Sequence, residues 1–384
     1  MKTLAFATAL FVAIATIATP SQSQQAVANI AGKSEWQLRQ EANEGVIRII
    51  SGQIHSTAFR ATAEMASVMS DVEGMRLLAM MGQGSVQNVS DMLYLKGVDL
   101  AIVQEDVLNH MRDKRIHGAL DRRINYIAKL YNEEVHLLAG GSVASVEELA
   151  GKKVAFGLET DGTAVTAEIL FEQLGVGVVP VYIQPDVALQ MVKSGELAAM
   201  VYVEGKPADL FRRVRKEDGL KFLPVPLTDA VQKASYLPTR LTAEDYPRIV
   251  PADGDGAVQT VAVGSVLMSF NWKPDTSRYK SIELFISTLF ERLGRLQAAP
   301  YHPKWADVNL AAQVPGWERL PAVDAVLATT ATADAQSCSE PALRLAMQKF
   351  LGEVSIVPTA GKLSREQTEQ LVQDFKRWLD SQSR

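Results

Sequence analysis

Apolar residues along this chain come in two rhythms. Short continuous runs rich in β-branched residues alternate with stretches where apolar positions recur every three or four residues. "GVIRIIS" (45–51) is of the first kind and predicts a buried parallel strand. Ala58, Ala61, Met65 and Val68 then follow at helical spacing and predict a helix over 57–69. "MRLLAMMG" (75–82) and "VDLAIVQED" (98–106) predict two further strands. "IAKLYNEEVHLLAG" (127–140) is long for one element and is read as a crossing between two lobes.

The same alternation then begins again. A short helix in "SVEEL" and a turn at Gly151 lead to a strand from Lys153 to Phe156. Ala167, Leu170, Phe171 and Leu174 form one apolar stripe, and Gly175 ends that helix. Strands are expected at 179–184, 197–205 and 221–226, with an amphipathic helix ending near Gly195; Tyr182 is assigned to the core. "GAVQTVAVGSVLMSF" (256–270), interrupted by Gly264, is a return path to the first lobe. A helix at 276–294 follows, with Ile282, Phe285, Ile286, Leu289 and Leu293 on one face.

Strands alternating with helices define an α/β class with mostly parallel sheets. Two such blocks give two lobes facing a cleft. Lobe one is read as residues 45–130 plus 265–324 and lobe two as 131–264. Residues 325–340 read as a linker and 341–384 as an extra C-terminal helical tail, in which Leu371, Phe375 and Trp378 share a face behind a capping box at Ser364–Gln367.

The first residues bear on compartment. Lys2, the apolar run Leu4 to Ala18, Pro20 and a small-x-small site at Ala26-Val27-Ala28 read as a secretory signal peptide over residues 1–28, with Ser21-Gln22-Ser23 as a second cleavage candidate. The expected location is the periplasm, with no membrane span after cleavage. The formal charge of the 384-residue chain is −5, and loss of Lys2 makes it −6. Such mild acidity argues against nucleic acid as a partner. The single cysteine, Cys338, excludes an internal disulfide and thiolate metal clusters. The five histidines have no ligand spacing on a helix, so neither a metal nor a cofactor is expected.

Candidate chemistry gathers where strands end and helices start. Thr160-Asp161-Gly162-Thr163 stands between a strand and a helix. A helix start can hold an anion, or Asp161 or Thr163 can simply cap it. "GQGSVQN" (82–88) offers Ser85 and Asn88 as hydrogen-bonding groups, or Ser85 as an ordinary cap, and Gln104 ends the third strand. Tyr202 and Glu204 end the strand "AAMVYVEG". There is no G-x-S-x-G elbow and no matched nucleophile and base, so binding is expected rather than catalysis.

"GQGSVQNVSDMLYLKGVDLAIVQED" (82–106), "LAGGSVASVEELAGKKVAFG" (138–157) and the strand-TDGT-helix unit resemble the TAXI family, the extracytoplasmic solute receptors of TRAP transporters. The resemblance runs from about residue 45 to 320. "SVEELAGKKVAFG" is shared more widely among type II periplasmic binding proteins and so specifies fold better than family. The resemblance implies a two-lobed receptor that closes on a small solute, an amino acid or organic acid, often a carboxylate such as glutamate. It also implies a TRAP-type membrane permease as partner.

The family's first β/α turn is usually glycine-rich, and here the matching stretch is "SGQIHSTAFR" (51–60). Ser51, Gly52, Thr57 and Phe59 fall on matching or similar positions; Gln53, Ile54, His55, Ala58 and Arg60 depart. Ser51, Gly52, Ser56 and Thr57 are the expected lobe-one ligand contacts, with His55 and Phe59 lining the cleft. Ser56 and Thr57 can also cap the helix that follows. Arg60 is either a carboxylate partner or a surface residue. In lobe two the family's Gly-Ser-Gly-Thr turn is replaced by Thr160-Asp161-Gly162-Thr163, which sets a negative charge on the approach of an anion. A rival reading follows from these departures and from the tail: an exported adaptor or sensor with altered or lost ligand binding, acting through a membrane partner.

Overall fold

The computed structural model describes residues 32–252 and 256–336. In chain order the elements are α1 (Glu35–Asn43), β1 (Val46–Ser51), α2 (Thr57–Val68), β2 (Arg76–Met81), α3 (Ser85–Tyr94), β3 (Leu100–Gln104), α4 (Glu105–Asp113) and β4 (Ile124–Gly140). Then come β5 (Lys153–Ala155), α5 (Gly162–Leu174), β6 (Val179–Val181), α6 (Pro185–Ser194), β7 (Ala199–Glu204), β8 (Leu220–Phe222), α7 (Asp229–Lys233), β9 (Leu237–Thr242), β10 (Ala257–Phe270), α8 (Ser277–Leu296) and α9 (Pro321–Gln336).

All ten strands join one sheet in the order β2-β1-β3-β10-β4-β7-β5-β6, with β8 added on β4 and β9 on β10. The β/α units at each end run parallel: β1 with β2 and β3, and β5 with β6 and β7. Between them β4 and β10, of 17 and 14 residues, pair antiparallel with each other and with the strands beside them. At ~3.4 Å per residue, β4 reaches through both ends of the molecule. The β4–β10 register breaks between Gly264 and Val266, so Ser265 is set out of the ladder at mid-length.

Each end of the sheet has a core on both faces. Ile47 and Ile49 of β1 pack with Met65 of α2 and with Ile282, Phe285 and Leu289 of α8. Ile50 turns to the opposite face and meets Val89 of α3 and Val107 and Leu108 of α4. At the other end, Val135 and Leu137 pack with Leu170 and Phe171 of α5, while Leu138 packs with Leu189 of α6, Phe211 and Tyr246. Helix stops follow residue type: Gly175 and Gly195 close α5 and α6 with φ of +67° and +80°.

Three expectations change. Residues 325–336, read as the start of a linker, continue α9, whose Ala322 and Val323 are buried in the first lobe's core. Tyr182 is exposed, its hydroxyl donating to Glu168 at 2.6 Å, because β6 is an edge strand. The polar segments α1, α7 and β9 form without an apolar periodicity to announce them. Residues 1–28, the remainder of the linker and the tail lie outside the described residues.

Trp305 anchors the return of the chain to lobe one. It is 1% exposed, and its indole N–H donates to Glu64 of α2 at 2.7 Å. Trp305→Ala is expected to cost about 3–5 kcal/mol by leaving a large cavity. Urea denaturation checks this, and Trp305→Phe, which keeps most of the volume, is expected to lose less.

Candidate functional site

The starts of α2, α3 and α5 and the ends of β3 and β7 converge at mid-sheet. They enclose a cavity of about 50 Å³ between the lobes. Each wall is fixed by side chains that hydrogen-bond to main chain. Ser56 caps α2 by accepting from Phe59 N–H at 3.0 Å. Asn88 donates from Nδ2 to the carbonyls of Ser51 (2.9 Å) and Ile102 (3.1 Å), which ties β1 to β3. Ser85 Oγ accepts from Gln104 N–H at 3.1 Å, and Thr163 Oγ1 accepts from Val203 N–H at 3.3 Å.

The lobes also bond directly to each other. Thr57 N–H, at the first turn of α2, donates to Glu204 Oε1 at the end of β7 at 2.9 Å, and Thr57 Oγ1 donates to the Gly205 carbonyl at 3.2 Å. Asp106 of α4 accepts from Thr166 Oγ1 (2.6 Å) and the Tyr236 hydroxyl (2.8 Å). Lys304 pairs with Glu134 of β4 at 2.6 Å, both buried. Close approach is possible because glycines stand at the contacts. A Cβ on Gly84 would lie 2.6 Å from Asp161 Cα, and one on Gly162 would lie 1.7 Å from Gln104 Oε1.

The cavity is acidic. Glu133, Asp161 and Glu204 line it, and no lysine or arginine among the described residues does. Burial pushes the Glu204 carboxyl up to about 7, against the pull of the Thr57 and Gly205 N–H groups. Burial pushes Asp161 up to about 6, against the N–H groups of Thr163 and Gly162. Glu133 is also raised well above the usual carboxylate range, by burial and by Glu204, although Gln104 Nε2 donates to its Oε2 at 2.7 Å. The Oε1 of Gln104, a residue 5% exposed, and Oδ1 of Asn88 have no hydrogen-bond partner.

Tyr202 is held from behind. Ala208 N–H donates to the Tyr246 hydroxyl, which donates to His136 Nε2 (2.7 Å), leaving Nδ1–H for the Tyr202 carbonyl (3.1 Å). Burial holds His136 down at about 3, so it stays neutral in this relay.

Of the sixteen expected contacts, Gly52, Ser56, Ser85, Asn88, Gln104, Asp161, Thr163, Tyr202 and Glu204 line this cavity. Gly162 lies under the Gln104 amide, and Ser51 contributes its carbonyl to Asn88. Four others border a neighbouring vestibule of about 230 Å³ instead: His55, Thr57, Phe59 and Arg60. Arg60 borders the vestibule and not the cavity, and its Nε is paired with Glu64, one helical turn on, at 2.8 Å. Thr160 lines neither space, since the chain turns inward only at Asp161. The start of α2 in lobe one, where ligand contacts at Ser56 and Thr57 are expected, already faces the protein's own carboxylate, Glu204. Glu133, Gln53, Gly84, Pro185 and Ser265 were not expected. The signal for Glu133 was present: Asn132-Glu133-Glu134 sets three consecutive polar residues in the middle of a mainly apolar strand.

A mixed α/β sheet shared by two lobes, with a buried polar cavity between them, defines a two-lobed binding architecture. The chain matches the NMT1-like family over residues 49–315 and belongs to that family. Among solved structures it is similar to the periplasmic binding protein BugD (11% identity, TM-score 0.45, covering 69% of this chain and 88% of that one). It is also similar to the periplasmic aliphatic sulphonate binding protein SsuA from Escherichia coli (15%, TM-score 0.39, 74% and 78%). A third similarity is to XAC2383 from Xanthomonas citri bound to ATP (9%, TM-score 0.42, 69% and 89%).

The raised carboxyls set a pH dependence. A glutamate that titrates near 7 when folded and near 4.5 when unfolded holds its proton more tightly in the folded state. Its contribution is fully present below the unfolded value and is lost as pH rises through about 7. Asp161 and Glu133 act in the same direction. Glu204→Gln is expected to flatten the loss of stability between pH 4.5 and 7.5, as read by urea denaturation at each pH.

Proposed function

We propose that this protein is an exported solute receptor. A small molecule enters between the lobes, the lobes close on it, and the closed form delivers it to a TRAP-type permease. The observation that carries the reading is the interlobe cavity, with helix starts and strand ends from both lobes around buried, unpartnered amide oxygens. The permease assignment and the periplasmic location rest on the TAXI-like stretches and on the signal-like residues 1–28. Among the described residues no helix is long and apolar enough to cross a membrane. Lobe boundaries at 130/131 and 264/265 put the hinge beside the break in the β4–β10 register. The role is binding, with no chemistry done on the solute.

The expected carboxylate solute has weaker support than the receptor role. Three acidic side chains and no basic one face the cavity, and Glu204 already serves the α2 helix start. The second reading, an adaptor with lost ligand binding, is favoured by the smallness of the cavity and by the direct bonds between lobes. A pull-down of membrane proteins with and without residues 340–384 separates it from the first.

Two measurements test the receptor reading. In a thermal-shift panel of amino acids, dicarboxylates, keto acids and amines, a solute at 100 times its Kd is expected to add about 2.7 kcal/mol. Silence across the panel, after stripping any co-purified solute, would favour the adaptor. Gly84→Ala, whose Cβ would meet the Asp161 and Thr160 backbone of the other lobe, is expected to wedge the lobes apart, raising the radius of gyration in small-angle X-ray scattering while the far-ultraviolet circular dichroism stays unchanged.

A further inference from the structure

The charge of the interlobe cavity narrows the solute class beyond the receptor role on which this inference rests. Glu133 comes from the middle of β4, Asp161 from the start of α5 and Glu204 from the end of β7, so three separate elements aim carboxylates at one small space. Their protein partners do not exhaust their acceptors. Glu133 accepts from Gln104 through Oε2, and Glu204 accepts from Thr57 and Gly205 through Oε1 and only at 3.4 Å from the Tyr202 hydroxyl through Oε2. An independent observation points the same way. Gln104, which is 95% buried, turns its N–H group to Glu133 and leaves its carbonyl oxygen without a donor on the cavity wall. A buried acceptor without a donor is costly, and this one stands beside three more acceptors. What the cavity lacks, among the described residues, is positive charge.

We propose that the cavity binds a compact organic cation with an ammonium head, whose N–H donors are shared among Glu133, Asp161, Glu204 and the Gln104 carbonyl. An ammonium group carries three donors and no acceptor, which is the complement of this wall. Tyr202, on the same wall, offers its ring to the cation or to the attached carbon chain. The cavity of about 50 Å³ limits the head to a few heavy atoms. A carboxylate head would add a fourth acidic group to a wall that already holds three.

The test uses the protein purified after export, unfolded in denaturant and refolded to strip bound solute, and titrated calorimetrically. One arm uses methylammonium, ethanolamine and 1,4-diaminobutane; the other uses glutamate and succinate at the same ionic strength. Saturable binding in the amine arm, weakened about tenfold or more in both Glu133→Gln and Asp161→Asn, is expected, because each change removes one charge-assisted acceptor. Both variants are first checked for a cooperative urea transition and an unchanged far-ultraviolet circular dichroism spectrum; if either fails to fold, Gln104→Leu, which removes the neutral acceptor, takes its place with a smaller expected loss. Binding of succinate or glutamate with no amine binding would overturn the cation inference and leave the receptor role standing. Amine binding indifferent to all these variants would also overturn it, by placing the amine elsewhere. No binding in either arm would overturn it, and tail-dependent capture of a membrane protein in the same preparation would show that the receptor role had failed with it.

Discussion

The contact on which the site depends is the carboxylate of Glu204 lying at the first turn of α2. Removing a carboxylate from water costs several kcal/mol even after the protein relaxes. A helix start returns roughly 0.3–2 kcal/mol of that, and a charge-assisted hydrogen bond about 1.5–3 kcal/mol. The compensation is therefore partial, which is why the group holds its proton up to about pH 7. Glu204 thus performs two tasks at once: it joins β7 to α2, and it adds an acidic side chain to the cavity wall.

The rest of the site is scaffolding for that arrangement. Asn88 and Ser85 hold the lobe-one loops at fixed distance from the sheet, and Thr163 does the same for α5. The relay from Ala208 through Tyr246 and His136 supports Tyr202 without introducing charge. Glu134, the neighbour of Glu133, shows the alternative fate of a buried acid in this strand. Facing away from the cavity residues, it is paired with Lys304 and accepts from Lys206 N–H. Adjacent residues of one strand point to opposite faces, so one glutamate is neutralised within the protein and the next is left to the cavity.

Most of the architecture was legible because burial on a parallel sheet demands long apolar runs, and amphipathic helices repeat their stripe. "GVIRIIS" and the stripe of α5 could be placed on that basis alone, whereas 127–140, long for one element by sequence, runs as part of the single strand β4. Segments held by other forces were not legible. β9 carries Pro238, Thr239 and Arg240 and forms because β10 offers it an edge. The site was legible at its glycine and hydroxyl turns, where local chemistry marks helix starts. It was not legible where meaning depends on a partner distant in sequence: Thr57 on Glu204, or Gln104 on Glu133. Arg60 lay between these cases, for its i+4 neighbour Glu64 offered a local partner that competes with any ligand.

β4 and β10 have a consequence for how the molecule comes apart. Each strand supplies core residues to both lobes: Ile127 and Leu130 of β4 to one, Val135 and Leu137 to the other. A lobe cannot melt alone without stripping half of a strand that the other lobe still holds. The two lobes are thus joined in their unfolding, and the shared strands make the chain a single cooperative unit when heated.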